Sequence, residues 1–128
     1  MNRLRPWLPA VIWAGTIFIL SSQPAVVPGE RKVALLPLDK WAHLAAFGLL
    51  AALVIFALRR AHNLTLPRTA ALAIILASAY GATDEWHQAL VPNRCCSLGD
   101  WVADATGAAL VGLGWYLYES RRRAKTAR

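Results

Sequence analysis

Three short polar segments interrupt an otherwise apolar chain: Asp39, Lys40 and His43, then Asp84, Glu85, His87 and Gln88, then Arg94, Ser97, Asp100 and Asp104. Carboxylates, an imidazole and cations in such company can move protons, hold an anion or ligate a cation. His43 lies one helical turn after Asp39, a spacing that lets a carboxylate orient an imidazole; the plainer alternative is a buried histidine with satisfied hydrogen bonds. Glu85, three residues before Gln88, is the strongest single candidate, with interhelical hydrogen bonding as its alternative role. Lys40 and Arg94 together suit an anionic headgroup or pyrophosphate, unless each neutralises a nearby carboxylate. Ser97 reads first as a helix cap near Asp100 and only distantly as a nucleophile. Glu85, His43 and Asp100 are therefore the candidate acid/base groups, and Lys40, Arg94, Asp39, Gln88, Ser97 and Asp104 the candidate binding groups. His43, Glu85, Asp100 and Asp104 would give a divalent cation mixed oxygen and nitrogen ligands. No HExxH or paired CxxC supports this, so neither a metal nor a cofactor is expected.

The elements that position these groups follow from the apolar runs. At 128 residues the chain has room for one domain, and 57% hydrophobic residues exceeds the share in an ordinary soluble domain. The excess points to lipid. The first run lies inside an uncharged stretch from Pro6 to Gly29, and the second runs from Trp41 to Leu58, ending at Arg59 and Arg60. With Arg3 and Arg5 ahead of it, the first run also has the outline of a signal peptide, but its exit SSQPA lacks a clean small-x-small site. A retained helix is expected. The third run, Thr69 to Thr83, and the fourth, Ala105 to Tyr118, reach only about 21–22 Å as helix, short of a hydrocarbon core of about 30 Å. To cross it, each must extend through its acidic flank and carry carboxylates to membrane depth, where they should face the bundle interior. The expected fold is all-α: one domain over residues 1–128, an integral membrane bundle of four transmembrane helices near 6–22, 39–59, 68–90 and 99–119.

Charge gives an orientation. Ten of the fourteen basic residues lie before the first span, between the second and third, or after the fourth, leaving Arg31, Lys32, Lys40 and Arg94 in the other two loops. The positive-inside bias puts both termini in the cytoplasm. The polar ends of the second, third and fourth helices then meet at the outer face as a cup, with Asp39, Lys40, His43 and Phe47 on one arc and Tyr80, Asp84, His87 and Gln88 on another. Arg94 is its expected counter-ion. Asp100 and Asp104 share a stripe with Gly107 and Val111. Adjacent Cys95 and Cys96 form no disulfide framework. The net charge of +7 sits at the ends of apolar runs, which argues against nucleic acid. The basic cluster at Arg121–Arg123 with Lys125 reads as a topology anchor on anionic lipid.

The order DKWAH followed by Phe47, then DEWHQ, then RCCSLGD leading into ATGAALVG resembles the VanZ-like family of small bacterial membrane proteins, from about Asp39 to Gly114. The positions carried over are Asp39, Lys40, His43 and Phe47; Glu85 and Gln88; and Arg94, Ser97, Asp100 and Gly107. Asp104 departs from the pattern, standing where the family typically has Asn, and puts a second carboxylate one turn from Asp100. Close carboxylates resist ionising together. The resemblance implies a multi-pass protein of the cytoplasmic membrane whose namesake is associated with teicoplanin resistance, in a family without a settled biochemical activity. The expected partners are membrane lipids or a lipid-linked envelope substrate. A non-enzymatic scaffold is the rival expectation, and nothing in the sequence excludes a homo-oligomer.

Overall fold

The computed structural model describes residues 3–24 and 36–127. Within them the chain forms a 3-10 turn, Arg5–Trp7, and four helices: α1 (Leu8–Ser21), α2 (Leu36–Ala61), α3 (Leu66–Gln88) and α4 (Leu98–Thr126). No strand occurs among the described residues. Arg31, Lys32 and Arg128 of the basic tally lie outside them.

Local chemistry sets several ends. Pro6 and Pro9 fall in the first turns of the N-terminal elements and Pro67 in that of α3, where a missing N–H costs nothing. Arg59 and Arg60 occupy the last turn of α2 and complement its dipole. Ser97 caps α4 by accepting from the Asp100 N–H. The third and fourth apolar runs do continue through their acidic flanks, so Asp84, Glu85 and Gln88 are helical in α3 and Asp100 and Asp104 in α4. α4 also runs past residue 119 through the basic cluster, supported by an Arg122–Glu119 ion pair one turn apart.

α2 packs on all three other helices. Its face of Phe47, Leu50, Ala51 and Val54 meets Ala73 and Ala77 of α3 and Ala108 of α4 in one buried cluster. The approach of α2 to α4 depends on Gly107: a Cβ there would run into the Leu44 carbonyl oxygen. Gly112 makes room for Ile74 of α3 in the same way. α1 is fastened by long side chains, with Trp13 Nε1 donating to Ala46 O at 2.9 Å and Tyr80 Oη donating to Ala14 O at 2.7 Å.

The surface is apolar where a soluble protein's would be polar. Val11, Ile12, Ile75, Leu110 and Leu113 are all more than half exposed, whereas Asp84, Glu85, Gln88, Asp100 and Asp104 are buried. Among the described residues one helix, α2 over Asp39–Ala61, is long and apolar enough by itself to cross a membrane. α1 spans only about 21 Å over its 14 residues, and α3 and α4 carry the polar segments.

Gly107→Ala is expected to push α2 and α4 apart and lower stability by about 1–3 kcal/mol. Gly114→Ala, where a Cβ would meet nothing within 4 Å, should leave the midpoint unchanged or slightly raised. Thermal unfolding of the purified variants checks both, and equal midpoints would remove Gly107 from the packing account.

Candidate functional site

The C-terminal ends of α1 and α3 meet the N-terminal ends of α2 and α4, and every sequence-derived candidate lies at this end of the bundle. Lys40 and His43 near the start of α2 face two carboxylates near the start of α4. Lys40 Nζ forms an ion pair with Asp100 Oδ1, and His43 Nδ1 lies 2.9 Å from Asp104 Oδ1. Lys40 and His43 are nearly one turn apart, as are Asp100 and Asp104, so the helices match in register. Each of the two carboxylates is held by its own partner.

The imidazole is therefore hydrogen-bonded to Asp104 and not to Asp39, the acid one turn before it. Asp39 is exposed, whereas Asp104 is fully buried. An i, i+4 acid on the same helix is within reach, but it competes with a carboxylate that has no water to turn to, and a buried charge without a partner is the costlier arrangement. The ring of Phe47 lies parallel to that of His43 with 6.5 Å between centroids, and Tyr80 lies 6.1 Å beyond Phe47. Gly81 leaves the space beside the acid, since a Cβ there would stand 2.9 Å from Asp104 Oδ2.

Glu85 sits in the loop-side corner of the same cluster. Its Oε2 accepts from the Ser97 N–H at 2.6 Å, while Ser97 Oγ accepts from the Asp100 N–H. Ser97 thus joins Glu85 to the start of α4. Glu85 Oε1 and Asp104 Oδ2 are buried with no hydrogen-bond partner among the described residues.

Ser21 is the group that sequence reasoning did not draw into the cup. It lies at the end of α1 and donates to Asp84 Oδ1 at 2.6 Å, and Gln88 Nε2 donates to Asp84 Oδ2 at 2.9 Å. Asp84 is therefore satisfied by two neutral donors. Only its i, i+4 spacing from Gln88 was visible in the sequence; a serine in an SSQP exit reads as a helix end. Gln88 Oε1 in turn accepts from Arg94, whose Nε donates to the Gln23 carbonyl. Arg94, expected as the counter-ion of the cup, has neutral partners, and among the described residues no carboxylate lies within ion-pair distance of it. Lys40 and Arg94 take different partners, Asp100 for the one and Gln23 and Gln88 for the other.

These groups border a cavity of about 160 Å³ between α1, α2 and α3. Ile17, Leu20, Ala42, Ala46 and Phe47 form its apolar walls, and Ser21, Asp39, His43, Asp84, Gln88 and Arg94 its polar ones. Lys40, Glu85, Ser97, Asp100 and Asp104 do not line it. His87 lies outside as well, its ring 4.4 Å from that of Phe18. Cys95 and Cys96 are free and exposed.

With the order and roles of these groups laid out, comparison with known families gives a match of residues 7–119 to the VanZ/LLP1 family model. The chain belongs to the VanZ/LLP1 family. The match covers all of α1, α2 and α3 apart from the turn before Trp7, and α4 as far as Glu119. The VanZ family is generally membrane-associated, in keeping with the apolar α2 helix. No curated protein and no solved structure gives a match.

The partner of the VanZ-like histidine can be checked by double-mutant cycles. His43→Ala with Asp104→Asn should give a coupling energy of about 0.5–3 kcal/mol in unfolding free energy, and His43→Ala with Asp39→Asn should give additive effects. The reverse ranking would assign the imidazole to Asp39.

Proposed function

We propose that this VanZ-like protein is a multi-pass protein of the cytoplasmic membrane whose four helices all cross the bilayer, with both termini inside and the polar end of the bundle at the outer face. The inverted distribution of side chains supports this reading: leucines, valines and isoleucines outside, five charged or amide side chains buried within. Arg59, Arg60, Arg68 and Arg121–Arg123 lie toward the end opposite the cup, as the positive-inside bias requires. α1 reaches the required length only with the turn before it and residues beyond Ser21.

The function proposed is recognition of an amphiphilic, lipid-linked envelope component at the outer face. The observation that carries it is the two-sided cavity, with an aliphatic and aromatic wall for a chain beside an arginine that has no carboxylate partner among the described residues. A phosphate or carboxylate headgroup would displace the weak Arg94–Gln88 hydrogen bond, 3.3 Å long, for a charge-assisted one. His43 is the one candidate acid/base group that faces the cavity, and Asp104 behind it holds one tautomer and orientation. Glu85 and Asp100 act from behind the lining, on the N-cap of α4 and on Lys40.

A second reading, a non-enzymatic scaffold, draws on the same hydrogen bonds, because Asp84, Glu85, Asp100 and Asp104 each bind a group on another element. The two readings part at Arg94, which satisfies no buried acid among the described residues. Arg94→Ala should keep the unfolding midpoint within experimental error while weakening binding of a polyprenyl phosphate, followed by native mass spectrometry, at least tenfold. Undiminished binding would favour the scaffold. Teicoplanin susceptibility of a host carrying either form gives the cellular readout suggested by the family's namesake.

The orientation has its own test. Cys95 and Cys96 are the only thiols in the chain and should react with a membrane-impermeant maleimide in intact cells. Labelling only after permeabilisation would invert the topology.

A further inference from the structure

We infer that His43, Glu85 and Asp104 form a binding site for a first-row divalent cation in the interior of the bundle, behind the cavity. Each of the three offers a ligand atom, and these atoms all lie within 4.8 Å of one another. Bonds of about 2.0–2.2 Å to such an ion require only small side-chain rotations to draw them together. The residues come from three helices, so the ion would tie α2, α3 and α4 at one point.

Burial without a partner singles out this triad from other acidic neighbours. Glu85 is 3% exposed and Asp104 0% exposed, and each has one carboxylate oxygen, Oε1 and Oδ2, buried without any hydrogen-bond partner among the described residues. Buried acceptors with unused lone pairs are rare and costly; a cation satisfies both at once. Gly81 packs directly on this acid, since a Cβ there would stand 2.9 Å from Asp104 Oδ2. The nearby set Asp39, His43 and Asp100 also brings ligand atoms together, but Asp39 is exposed and Asp100 is taken by Lys40.

Charge and ligand type narrow the ion. Two carboxylates and a neutral imidazole carry two negative charges, which a divalent cation balances. One nitrogen and two oxygen donors suit Mn2+ or Zn2+ better than Mg2+ or Ca2+, which favour oxygen alone. A neutral imidazole ligates through a ring nitrogen that carries no proton, so on binding the proton in the His43–Asp104 hydrogen bond shifts to the other ring nitrogen and the site keeps its charge. Spacing along the chain could not specify this set, because its members are 42 and 19 residues apart in sequence.

The experiment uses the full chain in detergent with no lipid ligand added, so it stands or falls apart from the amphiphile reading. Cys95→Ser, Cys96→Ser and His62→Ala remove exposed competing ligands. Mn2+ titrated into this protein after chelator treatment and followed by electron paramagnetic resonance should show one bound ion per chain with a nitrogen-14 coupling from an imidazole. Glu85→Gln and Asp104→Asn should each weaken it at least tenfold, with Asp39→Asn within twofold of the parent. The parent protein alone decides the case if those variants fail to fold: absence of a bound ion, or one without nitrogen coupling, overturns the inference. Affinity unchanged in folded Glu85→Gln and Asp104→Asn overturns it equally.

Discussion

Four carboxylates turned inward from α3 and α4 must each be met by a donor on another element, and that requirement governs how the helices sit. Asp84 is met by α1 through Ser21, Glu85 by the backbone that opens α4, and Asp100 and Asp104 by Lys40 and His43 of α2. In an apolar surrounding an unmet carboxylate is far more costly than a lost van der Waals contact. Apolar packing brings the helices together; the acids choose the register. Sliding α4 by one residue against α2 would break the Lys40–Asp100 and His43–Asp104 pairings at once.

Gly107 and Gly81 make that matching sterically feasible. Gly107 lets α4 lie against the backbone of Leu44, close enough for Lys40 and His43 to reach across, and Gly81 leaves α3 open beside Asp104. Small residues therefore serve the polar network as well as the packing. The same closeness keeps the Asp104 carboxylate fully buried, which is why its unused oxygen stands out.

Much of this was legible in the chain. Extension of the third and fourth helices into their acidic flanks followed from apolar runs too short to span, and the order of DKWAH, DEWHQ and RCCSLGD carried the family. Partner choice was less legible. His43 has an acid one turn away, and periodicity cannot say that a carboxylate 61 residues on will win the imidazole because it is the more deeply buried. Arg94 looked like a counter-ion because acids surround it in sequence, yet Ser21 and Gln88 had already satisfied Asp84. Ser21 itself gave no signal, since its role depends on where α1 ends against α3. These are tertiary facts, decided by which groups lose water together.

The ion pairs between α2 and α4 also bear on how the protein is made. Lys40 and Asp100 are 60 residues apart and His43 and Asp104 are 61 apart, with the whole of α3 between them. A chain emerging from the ribosome therefore holds Lys40 and His43 without their acids until α4 arrives, and contacts of such long range form late. The bundle closes from its last helix, so a truncated product lacking α4 leaves Lys40 and His43 without their acids in its interior.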